Sequence, residues 1–113
     1  MEQSGFVKVF GESPLIKLLD FLLTERGLYD YSLTELAENS GVSWATLHKI
    51  FPGLIKLGVV KQTREIARAK LFRINEEHPI VKELIRMENI ISDYFIHKEL
   101  VKQGIEKSIS LHA

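Results

Sequence analysis

The sequence predicts a mainly α fold with one small antiparallel β-hairpin, an α+β chain that ends in a long helix. Three observations lead there. Apolar residues recur at helical spacing in three short segments, and a serine stands ahead of each in position to cap it. Between Val59 and Asn75 the pattern changes to strand formers around a polar tip. From Pro79 a helical pattern runs on for more than twenty residues. The 113 residues, 45% hydrophobic and 27% charged, suit one compact domain of ordinary composition. The boundaries that follow are an N-terminal arm over 1–12, a body over 13–77, a long helix over 78–104 and a frayed tail over 105–113.

The first helix is expected over 14–26. Ser13 is its cap, Pro14 fits the first helical position, and Leu15, Leu18, Leu19, Leu22 and Leu23 line its apolar face before Gly27 stops it. The segment 28–32 is short and rich in strand formers. Ser32 and Glu35 have the spacing of a capping box, which starts a helix over 33–40 with Leu33, Leu36 and Ala37 inward. Gly41 ends that helix and Ser43 caps the next, whose apolar face is Leu47, Ile50, Phe51, Leu54 and Leu57. Pro52 lacks the N–H that would bond to the carbonyl of His48, so this helix is expected to kink or stop near residue 51, leaving 54–57 as a separate turn. Residues 59–64 and 70–75 then form the hairpin around a tip at 66–69. That tip has no Asn-Gly or Asp-Gly pair to define its turn. Over 79–103, Ile80, Leu84, Met87, Ile91 and Tyr94 alternate by four and three, with Val81, Ile85, Ile90 and Phe95 widening the seam.

Composition excludes several classes. There is no cysteine, hence no disulfide framework, thiol chemistry or thiolate metal site. No apolar run reaches the ~18–20 residues of a membrane-spanning helix, and the first residues do not have the form of a signal peptide. A cytoplasmic protein is the simplest expectation. Basic and acidic residues balance at 15 each, but unevenly along the chain. Residues 41–75 carry seven basic side chains against Glu65 alone, a net +6, while the segments on either side are net acidic. Such clustering fits one anion-binding face, and equally a polar hairpin that happens to be basic.

Spacing narrows the choice. Ala37 is small where a second helix must approach closely, Gly41 suits a left-handed turn, Val42 plugs that turn, and Leu47 and Ile50 return the next helix to the core. Here the chain resembles a helix-turn-helix. With Leu54-Ile55-Lys56-Leu57-Gly58-Val59-Val60 leading into the basic hairpin, it looks like a winged helix-turn-helix transcription regulator of the broad MarR-like or ArsR-like kind. The run from Asn75 to Leu84 is similar to stretches that follow the wing in small archaeal regulators. The resemblance covers about residues 14–85. It implies a DNA-binding domain over 13–77 and sequence-specific binding to double-stranded DNA, with the recognition helix in the major groove and the wing on backbone or minor groove.

The residues this implicates follow from helix geometry. With Leu47 and Ile50 inward, Ser43, Trp44, Ala45, Thr46, His48 and Lys49 lie on or near the groove side, where the first turns of a helix reach base edges. Ser43 serves either as cap or to present backbone N–H groups to a phosphate. His48 is a base or phosphate contact or a plain surface histidine, and Lys49 is a phosphate or guanine contact. Trp44 either stacks on a sugar or thymine methyl or covers the neighbouring helix, the latter being favoured. Arg64, Arg68 and Lys70 surround the hairpin tip, where a wing would meet DNA.

The last helix, about 37 Å long at 1.5 Å per residue, is longer than so small a body easily covers. Its seam of Ile80, Leu84, Met87, Ile91 and Tyr94 is expected to form a homodimer interface, the alternative being packing on the first helix of its own chain. Catalysis is not expected: the chain has no glycine-rich phosphate loop, cysteine nucleophile or metalloprotease histidine pair. Asp93 and His97, four apart, are too few to hold a metal and read as a surface ion pair, and no cofactor is implied. The rival reading is a winged helix used as a protein-interaction module within transcription machinery. RNA binding lacks the interleaved exposed aromatics it would need.

Overall fold

A computed structural model describes residues 3–104, so the tail expected over 105–113 lies outside the described residues. In chain order the elements are α1 (Gly5–Phe10), α2 (Pro14–Thr24), α3 (Leu33–Ser40), α4 (Trp44–Leu57), β1 (Val60–Ile66), β2 (Ala69–Ile74) and α5 (Pro79–Lys102). The fold is therefore mainly helical, with a two-stranded antiparallel sheet and a long C-terminal helix.

Local chemistry explains most boundaries. The hydroxyls of Ser13, Ser32 and Ser43 accept from the N–H groups of Ile16, Glu35 and Thr46, and the capping box is complete because Glu35 accepts in return from the Ser32 N–H. Gly41, at φ 76°, supplies the left-handed step between α3 and α4 that a Cβ would disfavour. Tyr31 forms a single bridge with Phe72, exchanging both backbone hydrogen bonds at 2.7 and 2.8 Å, so the short 28–32 segment contributes one residue to the sheet edge.

Three expectations need correction. The arm over 1–12 contains a helix, α1, capped by Ser4, with Phe6 and Val7 buried. Its approach to α5 explains Gly5, since a Cβ there would lie 2.8 Å from Ile91 and 2.9 Å from Phe95. The apolar run was too short to be read as a helix, and only its partner makes it one. Second, α4 is continuous through Pro52. Phe51, wholly buried and edge-on to Phe72 at 4.9 Å, and Leu54, packed on the core, hold the helix on both sides of the proline. Pro52 and Gly53 lie on the exposed side, and packing outweighs one lost backbone bond. Third, Leu57 is exposed because it ends the helix beyond the edge of the core.

The core gathers Leu18, Leu22 and Leu23 of α2, Leu36 of α3, Leu47 and Phe51 of α4, Val60, Phe72 and Ile74 of the hairpin, and Val81 and Ile91 of α5. A polar joint closes it. The Asn75 N–H donates to the Val59 carbonyl at 2.8 Å and its side-chain amide to the Gly58 carbonyl at 3.0 Å. His78 caps α5 by accepting from the Ile80 N–H at Nδ1, 3.1 Å, while Nε2 donates to the Leu57 carbonyl at 3.0 Å. Arg26, in the turn after α2, bridges to Glu88 of α5 at 2.6 Å.

The uninterrupted α4 leads to a stability prediction. Pro52→Ala restores an N–H facing the His48 carbonyl and removes the ring from the preceding turn. It should raise unfolding stability by about 1–3 kcal/mol, read from the denaturant midpoint. An unchanged or lowered midpoint would show that the helix needs its proline.

Candidate nucleic-acid interface

Helix α4 lies on the body through Leu47 and Phe51, which turns the other side of its first two turns to solvent. Trp44, Ala45 and Lys49 are exposed, and Thr46 and His48 half-buried. The Ser43 hydroxyl is committed to the cap: it accepts from the Thr46 N–H at 3.2 Å and donates to the Thr46 hydroxyl at 2.8 Å. Trp44 is 57% exposed, so it covers the neighbouring helix with part of its surface only. The indole lies beside His48 of its own helix, the rings tilted with centroids 3.5 Å apart, and it borders a niche with Thr34, Ala37 and Glu38 of α3 and Val42 of the following turn. The His48 Nδ1 donates to the Trp44 carbonyl at 2.9 Å, an oxygen that can only accept.

The hairpin supplies the second basic surface. Its register pairs Ile66 with Ala69, leaving Ala67 and Arg68 as a two-residue loop. Both have positive φ, 48° and 71°, the geometry of a type I′ turn without the usual asparagine or glycine. An L-residue in this region costs about 1–2 kcal/mol. Arg68 thus occupies the tip at the expense of local stability. Cross-strand neighbours modify the rest: Lys70 faces the opposite charge of Glu65, whereas Lys61 faces the like charge of Arg73.

Arg64 is already engaged. The register shifts between Gln62 and Arg64, and this bulge lets Thr63 and Arg64 both turn to Asp30, which alternation along a regular strand would forbid. Arg64 donates to the two Asp30 oxygens from Nε at 2.9 Å and Nη2 at 3.1 Å, and the Thr63 hydroxyl also donates to this carboxylate. The hydrogen bonds from Arg64, then that from Thr63, hold the Asp30 carboxyl down to about 2. Beside it, burial and the bond to Glu25 push the Tyr31 phenol up to about 12, with its O–H donating to Glu25 at 3.0 Å.

The α4 residues thus share one helical end, and the basic hairpin residues gather near one tip. No local pattern points to Asp30, which lies more than thirty residues from Arg64 in sequence and meets it only because Tyr31 pairs with Phe72. The α5 seam divides. Leu84 and Ile91 pack against the chain's own core, as the alternative reading had it, while Ile80, Met87 and Tyr94 remain exposed. Among the described residues no group of three or more His, Cys, Asp or Glu side chains is placed to hold a metal, and no helix is long and apolar enough to cross a membrane. No protein-family model, curated protein or solved structure matches the chain.

The Asp30–Arg64 pair has a definite acid signature. Its folded carboxyl titrates below the ordinary 3.8, so its contribution to stability is complete above that value and is lost as pH falls towards about 2. Denaturant unfolding across this window should show Asp30→Asn losing less stability on acidification than the parent chain. Parallel acid limbs for the two proteins would show that the pair does not distinguish folded from unfolded chain.

Proposed function

We propose that the chain binds double-stranded DNA as a sequence-specific, dimeric regulator of the winged helix-turn-helix kind, and that it is a binding protein rather than an enzyme. The observation that supports this best is α4. Its buried side is anchored by Leu47 and Phe51, while its N-terminal turns hold Trp44, Ala45, His48 and Lys49 at the surface. A helix presented in this way has the dimensions of the major groove. The order α2, Tyr31 bridge, α3, α4, hairpin is consistent with a winged helix, in which the hairpin is the wing.

Within this reading the roles divide. Lys49 and His48 address bases, and the exposed indole of Trp44 lies against sugar or a thymine methyl. Arg68 at the tip meets backbone or minor groove, with Lys70 in support. Arg64 acts mainly inside the protein, fixing the wing against Asp30. A second reading, the protein-interaction module, draws support from Leu28 and Tyr29, which are exposed next to Asp30 and give this side of the hairpin an apolar as well as a basic character.

Salt titration tests the proposal. Duplex affinity should fall steeply as salt rises, because bound phosphates release counterions. Arg68→Ala should weaken target and random duplexes alike and reduce the log–log slope by ~1, whereas Lys49→Ala should mainly reduce discrimination between them. Absence of duplex binding at low salt would favour the protein-interaction reading.

The strained tip gives an independent check. Arg68→Gly removes the cost of a left-handed L-residue, so it should stabilise the fold by about 1 kcal/mol while weakening DNA binding. Loss of both stability and binding would mean that Arg68 is a structural residue.

A further inference from the structure

Helix α5 has two apolar faces. Val81, Leu84, Ile85, Ile91 and Phe95 belong to the chain's own core. About a third of a turn away, Ile80, Met87, Ile90, Tyr94 and Val101 form a separate stripe, each 43–59% exposed. Their spacing of seven, three, four and seven keeps a heptad seam with Ile80, Met87, Tyr94 and Val101 at one position and Ile90 at the other. Glu83 and His97 fill the remaining places of the second position.

We infer that this outer stripe pairs with the same stripe of a second copy running antiparallel, about a two-fold axis between Glu88 and Asn89. The inference rests on the dimer part of the proposed function and sets its geometry. Two helices paired side by side in parallel bring each seam residue opposite itself. Glu83 would then meet Glu83 of the partner subunit at the centre of the seam, two carboxylates at close range in partly dry surroundings. Antiparallel pairing sets the two heptad positions opposite each other. With the axis between Glu88 and Asn89, Met87 faces Ile90 of the partner subunit, Ile80 faces His97 of the partner subunit, and Glu83 faces the hydroxyl-bearing Tyr94 of the partner subunit. The same register places Arg86 beside Asp93 of the partner subunit along one flank, and symmetry makes that opposite-charge contact twice. Arg86 and Glu83 are both highly exposed in the single chain and meet each other at 3.3 Å, so both can reach this second set of partners. A second copy is the occupant because one rotation sets Met87 against Ile90 of the partner subunit and Arg86 beside Asp93 of the partner subunit at the same time.

The chain contains no cysteine, so engineered cysteines report the geometry without background. Glu83→Cys and Tyr94→Cys are both at exposed positions and should fold. In the antiparallel pair two residues 83 lie about 16 Å apart along the helices, as do two residues 94, too far for a disulfide. Neither variant alone should cross-link under mild oxidation, while an equal mixture should give a covalent dimer. A covalent dimer from either variant alone would establish parallel pairing and overturn the register while leaving the dimer in place. A charge exchange supplies the second test. Arg86→Asp should weaken association about tenfold in sedimentation, and Asp93→Arg in the same chain should restore it. Failure of the double variant to recover would overturn the flank pairing. A parent chain that sediments as a monomer at tens of micromolar would overturn both the seam and the dimer. Duplex binding, measured on the same samples, reports separately on the DNA reading.

Discussion

The joint between residues 75–78 and the end of α4 is the constraint on which the rest of the molecule depends. Helices usually leave their last carbonyls to solvent or to a local turn. Here the Leu57, Gly58 and Val59 carbonyls are taken up by His78, Asn75 side chain and Asn75 backbone respectively. Each such bond contributes only about 1 kcal/mol net, yet together they leave α4, the hairpin and α5 little freedom to move independently. His78 has a double part in this, because one ring nitrogen closes the end of α4 while the other opens α5. The Arg26–Glu88 bridge ties α5 to α2 further along, so the long helix is fixed to the body at two places.

A second economy concerns charge. The basic excess of the middle third is not all available to a ligand. Asp30 takes up Arg64, and Glu65 lies across from Lys70, while Arg68 at the hairpin tip and Lys49 on the outer side of α4 stay exposed. The bulge at Thr63 makes the first of these arrangements possible, and it also orders the hairpin against the 28–32 segment. Rigidity of the hairpin and loss of one free charge are thus the same interaction. The strained turn beyond it shows the opposite compromise, an arginine kept at a place where glycine would be more stable.

Much of the fold was legible in the amino-acid order because its signals are local. Serine caps, the Ser32–Glu35 box, the Gly41 turn and the switch from helical to strand patterning are each set by side chains within four residues of the backbone they act on. The exposed first turns of α4 followed from Leu47 and Ile50 by periodicity alone. What depended on distant partners was not legible. Helix α1 is too short to persist without α5, α4 passes through Pro52 because Phe51 meets Phe72, and Arg64 finds Asp30 only once the Tyr31 bridge has formed.

The division is clearest on α5. The sequence by itself determined that residues from Pro79 onward form a long helix with more apolar positions than one narrow seam requires. It did not determine which of them face inward, since residues 80, 84, 87, 91 and 94 and residues 80, 87, 90, 94 and 101 both satisfy a heptad. Tertiary structure decided that choice: His78 and the Arg26–Glu88 bridge set the rotation of the helix, α1 and α2 then cover Leu84 and Ile91, and Ile90 is left outside. Periodicity defines faces only relative to one another, and contacts with the rest of the chain are needed to say which face is buried.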